Sequence, residues 1–599
     1  MGRKTKLKLL KKEVRTQELQ QIKTQRFDSK RKLLNKILTI FTLLSVLLAI
    51  LSLAFAVFNP GLPSGHDLIA HAFRSKIFIE ALREEQFPVR WIDWANNNFS
   101  GPFFNFYQVG YYYLAFFISL ISFSIYDSIK ILIIGSWWLG ALFMFLYARR
   151  FGILPASLAA LIYAFTPYTI SDFFVRASYP ECLAISLSIG ILWALDRILV
   201  TAKTIYGIPL TLCVAGLALT HLPTVIILAP ILIGYFFLLL FNKEIKLKGL
   251  IPFAIAGLLG LGLSAFYLIP SLFELDLVKS SLLTASYYDF RPHFVYPEQL
   301  FSTFWDYGIS KAGNTDGMSF QVGHINWIII LLALVLTTFY LFKKNHKNTL
   351  HLVFWLLTIL YSFFFIHEIS ISFWENIQTI AFIQYPWRYL MVIPIATAVL
   401  ASLLLQTIPK IWQQSLIILI TILGIFIFYK DYLKPATFLS TDYFKFDTND
   451  WQKSEAAKYA VLEEGYEPKT AELTPQGNLN KWALIQGKGK VEEKAIKQEN
   501  KQFTTTSTET LAFLLTTHYF PGWKAYIDNA ETKIETTQGY GFMQIEVPQG
   551  VHKVEFKFTN TPIRSAANLI SIFSLITFVI WQILAWKKYL FVDKTNSRS

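Results

Sequence analysis

Runs of about 18 to 24 mostly apolar residues recur along the chain, each long enough to cross about 30 Å of hydrocarbon as a helix. Inside a bilayer no water satisfies the peptide groups, so only helices or a closed barrel can span it. Runs of this length choose helices. Composition agrees: of 599 residues, 54% are hydrophobic and 16% charged, which excludes an ordinary soluble domain. The net charge of +15 does not call for nucleic acid. Much of it sits in residues 1–33 and in short loops between apolar runs, the distribution of the positive-inside rule. Cys182 and Cys213 both lie in apolar runs, so no disulfide framework is expected.

Charge then orients the spans. Residues 1–33 read as a basic cytoplasmic tail drawn to anionic lipid. Leu34–Phe58 is too long for a cleaved signal peptide and reads as the first span. Asn59, Pro60, Gly61 and Pro63 end it, so a first outer loop, 59–128, begins on the external face. If Val109–Ile125 and Ile129–Tyr147 both cross, Arg149 and Arg150 land outside and every later loop inverts. If Val109–Ile125 is re-entrant or interfacial, those arginines fall inside. So then do Lys203, Lys243, Lys246, Lys248, Lys343, Lys344, Lys347, Lys410, Lys587 and Lys588. The second solution is preferred, because one partial span repairs six loops. The remaining spans are 153–172, 181–200, 206–222, 223–241, 249–270, 326–342, 350–367, 388–407, 411–429 and 566–586. Both termini are then cytoplasmic, with about twelve crossings, or thirteen if 109–125 also spans.

Between about 431 and 562 the chain turns polar and rich in Thr and Lys, with alternating runs such as FMQIEV and HKVEFKF. Period two between Gly and Pro turns argues strands, and a segment of this size, tethered at both ends, suits a β-sandwich. Trp523 and Tyr526 are expected in its core. The fold class expected is therefore a polytopic α-helical membrane protein with an extracytoplasmic β-sandwich ahead of the last span. Its parts are the tail 1–33, a transmembrane domain 34–430, the outer domain 431–562, and the final helix and tail 563–599.

Ionisable groups at membrane depth or at span ends are costly, so they are functional candidates. In the stretch from Gly65 to Tyr113, a helix from Leu68 puts Asp67 and His71 on one face with Arg74 beside them. A carboxylate, an imidazole and a guanidinium at a membrane surface suit an anionic, lipid-linked ligand; an amphipathic helix in the headgroups is the plainer reading. Arg176 and Glu181, in VRASYPE, either line a site or pair to close a turn. His221, in LTHLPT, is a ligand or a structural donor. Arg388, in QYPWRYL, is a phosphate binder or a snorkelling anchor in an aromatic belt. His367 and Glu368 form a weaker pair. His66, Asp67 and His71 leave a divalent metal open as cofactor, but no second carboxylate adjoins them and no DxD pair is present. Phosphate-binding glycine loops and a serine nucleophile elbow are also missing.

The motifs GHDLIAH, FPVRW, GPFFNFYQ, RASYPE, LTHLP and QYPWRYL, in that order, resemble membrane proteins known as "6-pyruvoyl-tetrahydropterin synthase-related". Their architecture is that of the GT-C glycosyltransferases. The segment YFPGWKAYID…VPQGVHKVEF resembles the C-terminal outer domain of YfhO-like proteins of the same superfamily. The likeness covers most of residues 34–590. It implies an inverting glycosyltransferase that uses a polyprenyl-phosphate-linked sugar at the outer face of the plasma membrane. The acceptor would be a cell-envelope glycan, lipid or protein. It also implies that Asp67 corresponds to the acidic residue of the first outer loop, as general base or acceptor-orienting carboxylate. His71 would support Asp67, Arg388, Arg176 and His221 would bind the donor phosphate, and Glu181 and His66 would assist. The paired acidic metal motif of oligosaccharyltransferases is not matched. Two other classes stay open: a polyprenyl-lipid flippase or transporter, and a non-catalytic scaffold whose outer domain binds glycan.

Overall fold

The computed structural model describes residues 32–93, 101–122, 124–343, 346–445, 464–473 and 480–596. The basic tail expected at 1–33 lies almost wholly outside the described residues. Nine helices among the described residues are long and apolar enough to cross a membrane, and eleven spans result if each of two bent helix pairs counts as one. The bent pairs are Ile153–Phe165 with Pro167–Arg176 and Leu247–Leu263 with Ala265–Phe273. Two shorter apolar helices, Gly110–Ser122 and Thr204–Thr220, accompany them.

The loops sort to two ends of this bundle. At one end, Arg150 pairs with Asp196 and Glu244, and His351 Nε2 lies 3.1 Å from Glu244. At the other end, the backbone N–H groups of His66 and Asp67 donate to Val175 and Arg176 at 3.0 and 2.9 Å. We refer to this second end as the site end.

The helix Gly110–Ser122 has 13 residues, about 20 Å at 1.5 Å per residue, too short to cross about 30 Å of hydrocarbon. It starts with Gly110 against Leu219 and Thr220. It finishes beside Ile125–Ala148, near whose start Lys130 donates to the Asn59 carbonyl at 2.7 Å. Both of its ends thus lie at the site end. Ile125–Ala148 makes the crossing instead, and delivers Arg149 and Arg150 to the opposite end.

Ahead of the last helix, Pro562–Asn596, the chain folds as strands. A short pair, β1 (Leu62–Pro63) with β2 (Phe438–Leu439), first ties the start of the first loop to the segment leading into this domain. Nine strands follow: β3 (Trp482–Gln486), β4 (Gly489–Ile496), β5 (Asn500–Ser507), β6 (Leu511–His518), β7 (Trp523–Ile527), β8 (Ala530–Thr532), β9 (Glu535–Thr536), β10 (Phe542–Val547) and β11 (Gly550–Phe558). They form two antiparallel sheets, ordered β3-β6-β10-β9 and β4-β5-β11-β7-β8. Inward residues alternate along them, as in β11, where Val554, Phe556 and Phe558 are buried and Lys553 and Lys557 are not. The result is a β-sandwich.

Its core departs from expectation in two ways. Trp523 is buried, but Tyr526 is only half-buried, because period two turns it to the face opposite Trp523 and Ala525. The volume is filled instead by Trp91 from the first loop, edge-on to Trp523 at 5.2 Å and 5.0 Å from Phe558. Polar ties reinforce this join. Lys501 bridges Asp93 at 3.0 Å, and Glu84 accepts from the Gln498 N–H at 2.8 Å. At the base, Glu274 holds Arg564 Nε at 2.9 Å and the Asn105 amide at 2.8 Å. The sandwich is therefore packed onto the same loop, 59–128, that carries Asp67.

Candidate active site

The helix Leu68–Arg83 starts at Asp67, whose backbone carbonyl receives the His71 N–H at 2.9 Å. The side chain of Asp67 makes no cap hydrogen bond to this helix, which leaves its carboxylate for the cavity. Its neighbour across the cavity comes from a helix that changes pitch. Residues Asp172–Arg176 form a π turn, and Ala177 follows in the left-handed region with φ 53°. The carbonyls at such a helix end have no partner of their own, so Val175 and Arg176 are free to accept from His66 and Asp67. Sequence-distant backbones are thereby locked side by side.

The side chains carried by these elements gather around one cavity of about 570 Å³. Asp67, His71, Arg176, His221 and Arg388 all line it, and His66 stands at its exposed rim. Glu181, fully buried, sits behind the lining. Its two oxygens receive both Arg176 terminal nitrogens, at 2.8 and 2.9 Å, and the Tyr168 hydroxyl at 2.8 Å. Arg388 Nε lies 3.3 Å from the same carboxylate and His221 Nε2 3.8 Å. The Arg176–Glu181 pair does close its turn, and it also forms the floor of the cavity.

Arg388 sits in the turn Pro386–Met391, where proline presets the first helical φ. One of its nitrogens donates to the Ile383 carbonyl at 2.7 Å, and its guanidinium lies over Tyr385 at 4.9 Å. Trp387 turns the other way, beneath Arg176 at 4.5 Å. Trp387, Arg388 and Tyr389 are all buried, so this turn faces the cavity and the protein interior and not a lipid-facing aromatic belt. His221 occupies the extended break between the helices Gly207–Thr220 and Leu222–Phe241, with Nδ1 2.7 Å from Thr224. His71 Nδ1 is 3.0 Å from the Tyr112 hydroxyl. Burial pushes the His71 imidazole down to about 3, against which nearby Asp67 is the weaker, opposing influence. It is neutral at ordinary pH.

Some expected partners stay apart. His367 and Glu368 cap a short turn, where His367 Nδ1 accepts from the Ile369 N–H at 3.2 Å, and neither lines the cavity. The proposed His66–Asp67–His71 metal set does not form. His66 Nε2 lies 3.1 Å from the Tyr307 carbonyl, His71 turns to Tyr112, and no group of three or more His, Cys, Asp or Glu among the described residues gathers to hold a metal. Other residues went unnoticed in the sequence. Asp172 accepts from the same Arg176 Nη1 that donates to Glu181, and from Cys182 Sγ at 3.2 Å, and Tyr287 and Tyr385 wall the cavity. The four-residue spacing of Asp172 and Arg176 was the available signal.

The comparisons with known proteins bear on the chain's far end. Residues 475–571 match the family described as bacterial membrane protein YfhO. That stretch holds all nine strands of the sandwich and the start of the last helix. No curated protein matches the chain. Over that segment the chain is similar to YfhO, and its many apolar helices make it a polytopic helical membrane protein.

Proposed function

We propose that this protein is a glycosyltransferase of the outer membrane face that takes its sugar from a polyprenyl-phosphate donor. The supporting observation is the single cavity in which Asp67, His71, Arg176, His221 and Arg388 meet. The basic loops lie at the opposite end of the bundle with Arg150, which favours an external cavity. A donor that arrives within the bilayer needs no cytosolic nucleotide sugar.

In this reading the donor phosphate meets Arg388. Arg176, which Glu181 and Asp172 hold in place, or His221 is the second donor, since both line the cavity. As the bond from the anomeric carbon to the phosphate oxygen breaks, negative charge grows on that oxygen, and charge-assisted bonds stabilise it. Asp67 takes or orients the proton of the acceptor hydroxyl, whose oxygen attacks the anomeric carbon from the opposite side. The new glycosidic bond is inverted. Neutral His71 packs beside Asp67 without competing for its charge. The metal-ligand geometry described above does not fit a divalent ion, and no step is routed through one.

Purified protein in nanodiscs, offered a panel of radiolabelled polyprenyl-phosphate sugars, tests the proposal. Consumption of one donor by the wild type and not by Asp67→Asn is the expected result. Equal consumption by both, or none from any donor, sinks it.

A further inference from the structure

The loop between the spans Leu247–Phe273 and His324–Phe342 carries a second pocket. Its hairpin is pinned where Tyr307 bridges Met318, with Gly308 and Gly317 in backbone contact. That contact leaves no room for side chains, since a Cβ on either glycine would meet the other's Cα at 2.9 or 2.8 Å. One side of the hairpin presents Ile309 and Ser310 to the Asp67 cavity. The other encloses about 350 Å³ of its own, and Met318 lines both spaces as a shared wall.

The chemistry of this second pocket differs from that of the first. Gln299, Asn314, Asp316 and Ser319 line it, with the rings of Phe304 and Phe320. No lysine, arginine or histidine is among its lining residues. The one charged group an anion would meet is the Asp316 carboxylate, which repels it. A hydrocarbon chain would strip water from the Asn314 amide and the Ser302, Thr315 and Ser319 hydroxyls, which keep further hydrogen-bonding capacity, and that is costly. A compact, uncharged molecule dense in hydroxyls suits both sets of groups. Amides and carboxylates take hydroxyls as donors and acceptors, and the apolar face of a sugar ring lies on an aromatic ring.

The polar groups are also held in place beforehand. Asp316 accepts from the Gln299 amide at 2.8 Å and from the Lys311 N–H at 2.7 Å. Gln321 braces the wall, donating to Ser319 at 3.1 Å and to the Phe304 carbonyl at 3.3 Å. Phe304 nonetheless stays 46% exposed, a ring left open at a polar mouth. Phe320 stacks on Trp387 at 5.8 Å, and Trp387 underlies Arg176. The two cavities thus share a wall and an aromatic stack.

We infer that this second pocket binds an uncharged sugar unit of the acceptor and holds it beside the Asp67 cavity. The role as acceptor subsite rests on the glycosyltransferase reading, whereas the binding of saccharide does not.

Saturation-transfer NMR on the full chain in nanodiscs separates the two. The probes are maltotriose, chitotriose and mannotriose, with galacturonate as the anionic control. At least one uncharged trisaccharide is expected to give a signal that falls fivefold or more in Phe304→Ala/Asn314→Ala. Thr315→Trp, at an exposed position of the lining, should likewise abolish it by filling the space. Asp67→Asn should leave it unchanged, so loss of turnover and loss of this binding are read independently. No signal from any trisaccharide, a signal the variants keep, or a stronger one from galacturonate overturns the inference.

Discussion

Both terminal nitrogens of Arg176 end on the two oxygens of Glu181, at 2.8 and 2.9 Å, with neither residue more than 4% exposed. Removing one partner of such a pair strands a buried charge, at a cost of about 3–5 kcal/mol. Here the loss is compounded, because Arg388 leans on the same carboxylate. Glu181→Ala should lower the thermal unfolding midpoint of the detergent-solubilised protein well below that of Glu181→Gln, which retains one acceptor oxygen. Identical midpoints for wild type and Glu181→Ala would remove Glu181 from its central place.

Asp67 stands at the start of a buried helix but is itself only half-buried, so its substitution spares the packing. A general base contributes about 100- to 10,000-fold in rate. Asp67→Asn should lose turnover on that scale while its melting curve and its donor binding match the wild type. Wild-type turnover in this variant contradicts the assignment.

His71 is neutral when folded, its pKa pushed from 6.5 to about 3 by burial. The unfolded chain therefore takes up a proton that the folded chain refuses. Stability from this group is fully present above about 6.5 and is lost as pH falls towards about 3. The midpoint of His71→Gln should fall less between pH 7 and pH 4.5 than that of the wild type. Parallel declines would mean that His71 does not set this sensitivity.

Trp91 fills the sandwich from outside it, between Trp523 and Phe558. Truncating a buried aromatic to alanine costs about 3–5 kcal/mol. Trp91→Ala should loosen the β-sandwich from the helical domain, seen as faster proteolytic cleavage in the segments flanking residues 480–560. An unchanged cleavage rate would show that the polar ties to Lys501 and Gln498 suffice.

Sidedness is open to a direct measurement. Asp127 is exposed beside the first-loop end of Ile125–Ala148, and both native cysteines are buried. Asp127→Cys in intact cells should react with a membrane-impermeant maleimide. Reaction only after the membrane is opened would invert the proposed orientation.

Much of this protein was legible because its constraints are local. Hydrocarbon thickness sets helix length, so apolar runs read out as helices, and the alternation of basic loops already favoured a first loop that returns to its own side. Gly110–Ser122 is the helix that does so. Alternation also gathers Asp67, Arg176, His221 and Arg388 at one end, since each sits at the end of a run of known direction. Period two announced the strands of the sandwich in the same way. Contacts between distant segments carry no such period. Nothing near Trp91 marks it as core for a domain that begins hundreds of residues later, and Arg90 meets Asn568 across 478 positions. Asp172 behaved likewise: its charge was visible, but its role as second carboxylate on Arg176 depends on a π turn. Tyr526 was legible too: three residues from Trp523, it falls on the opposite face of a strand with period two. Hydrophobicity along the chain chose the elements and their ends; complementary shape and charge across the chain, which only packing defines, chose what they touch.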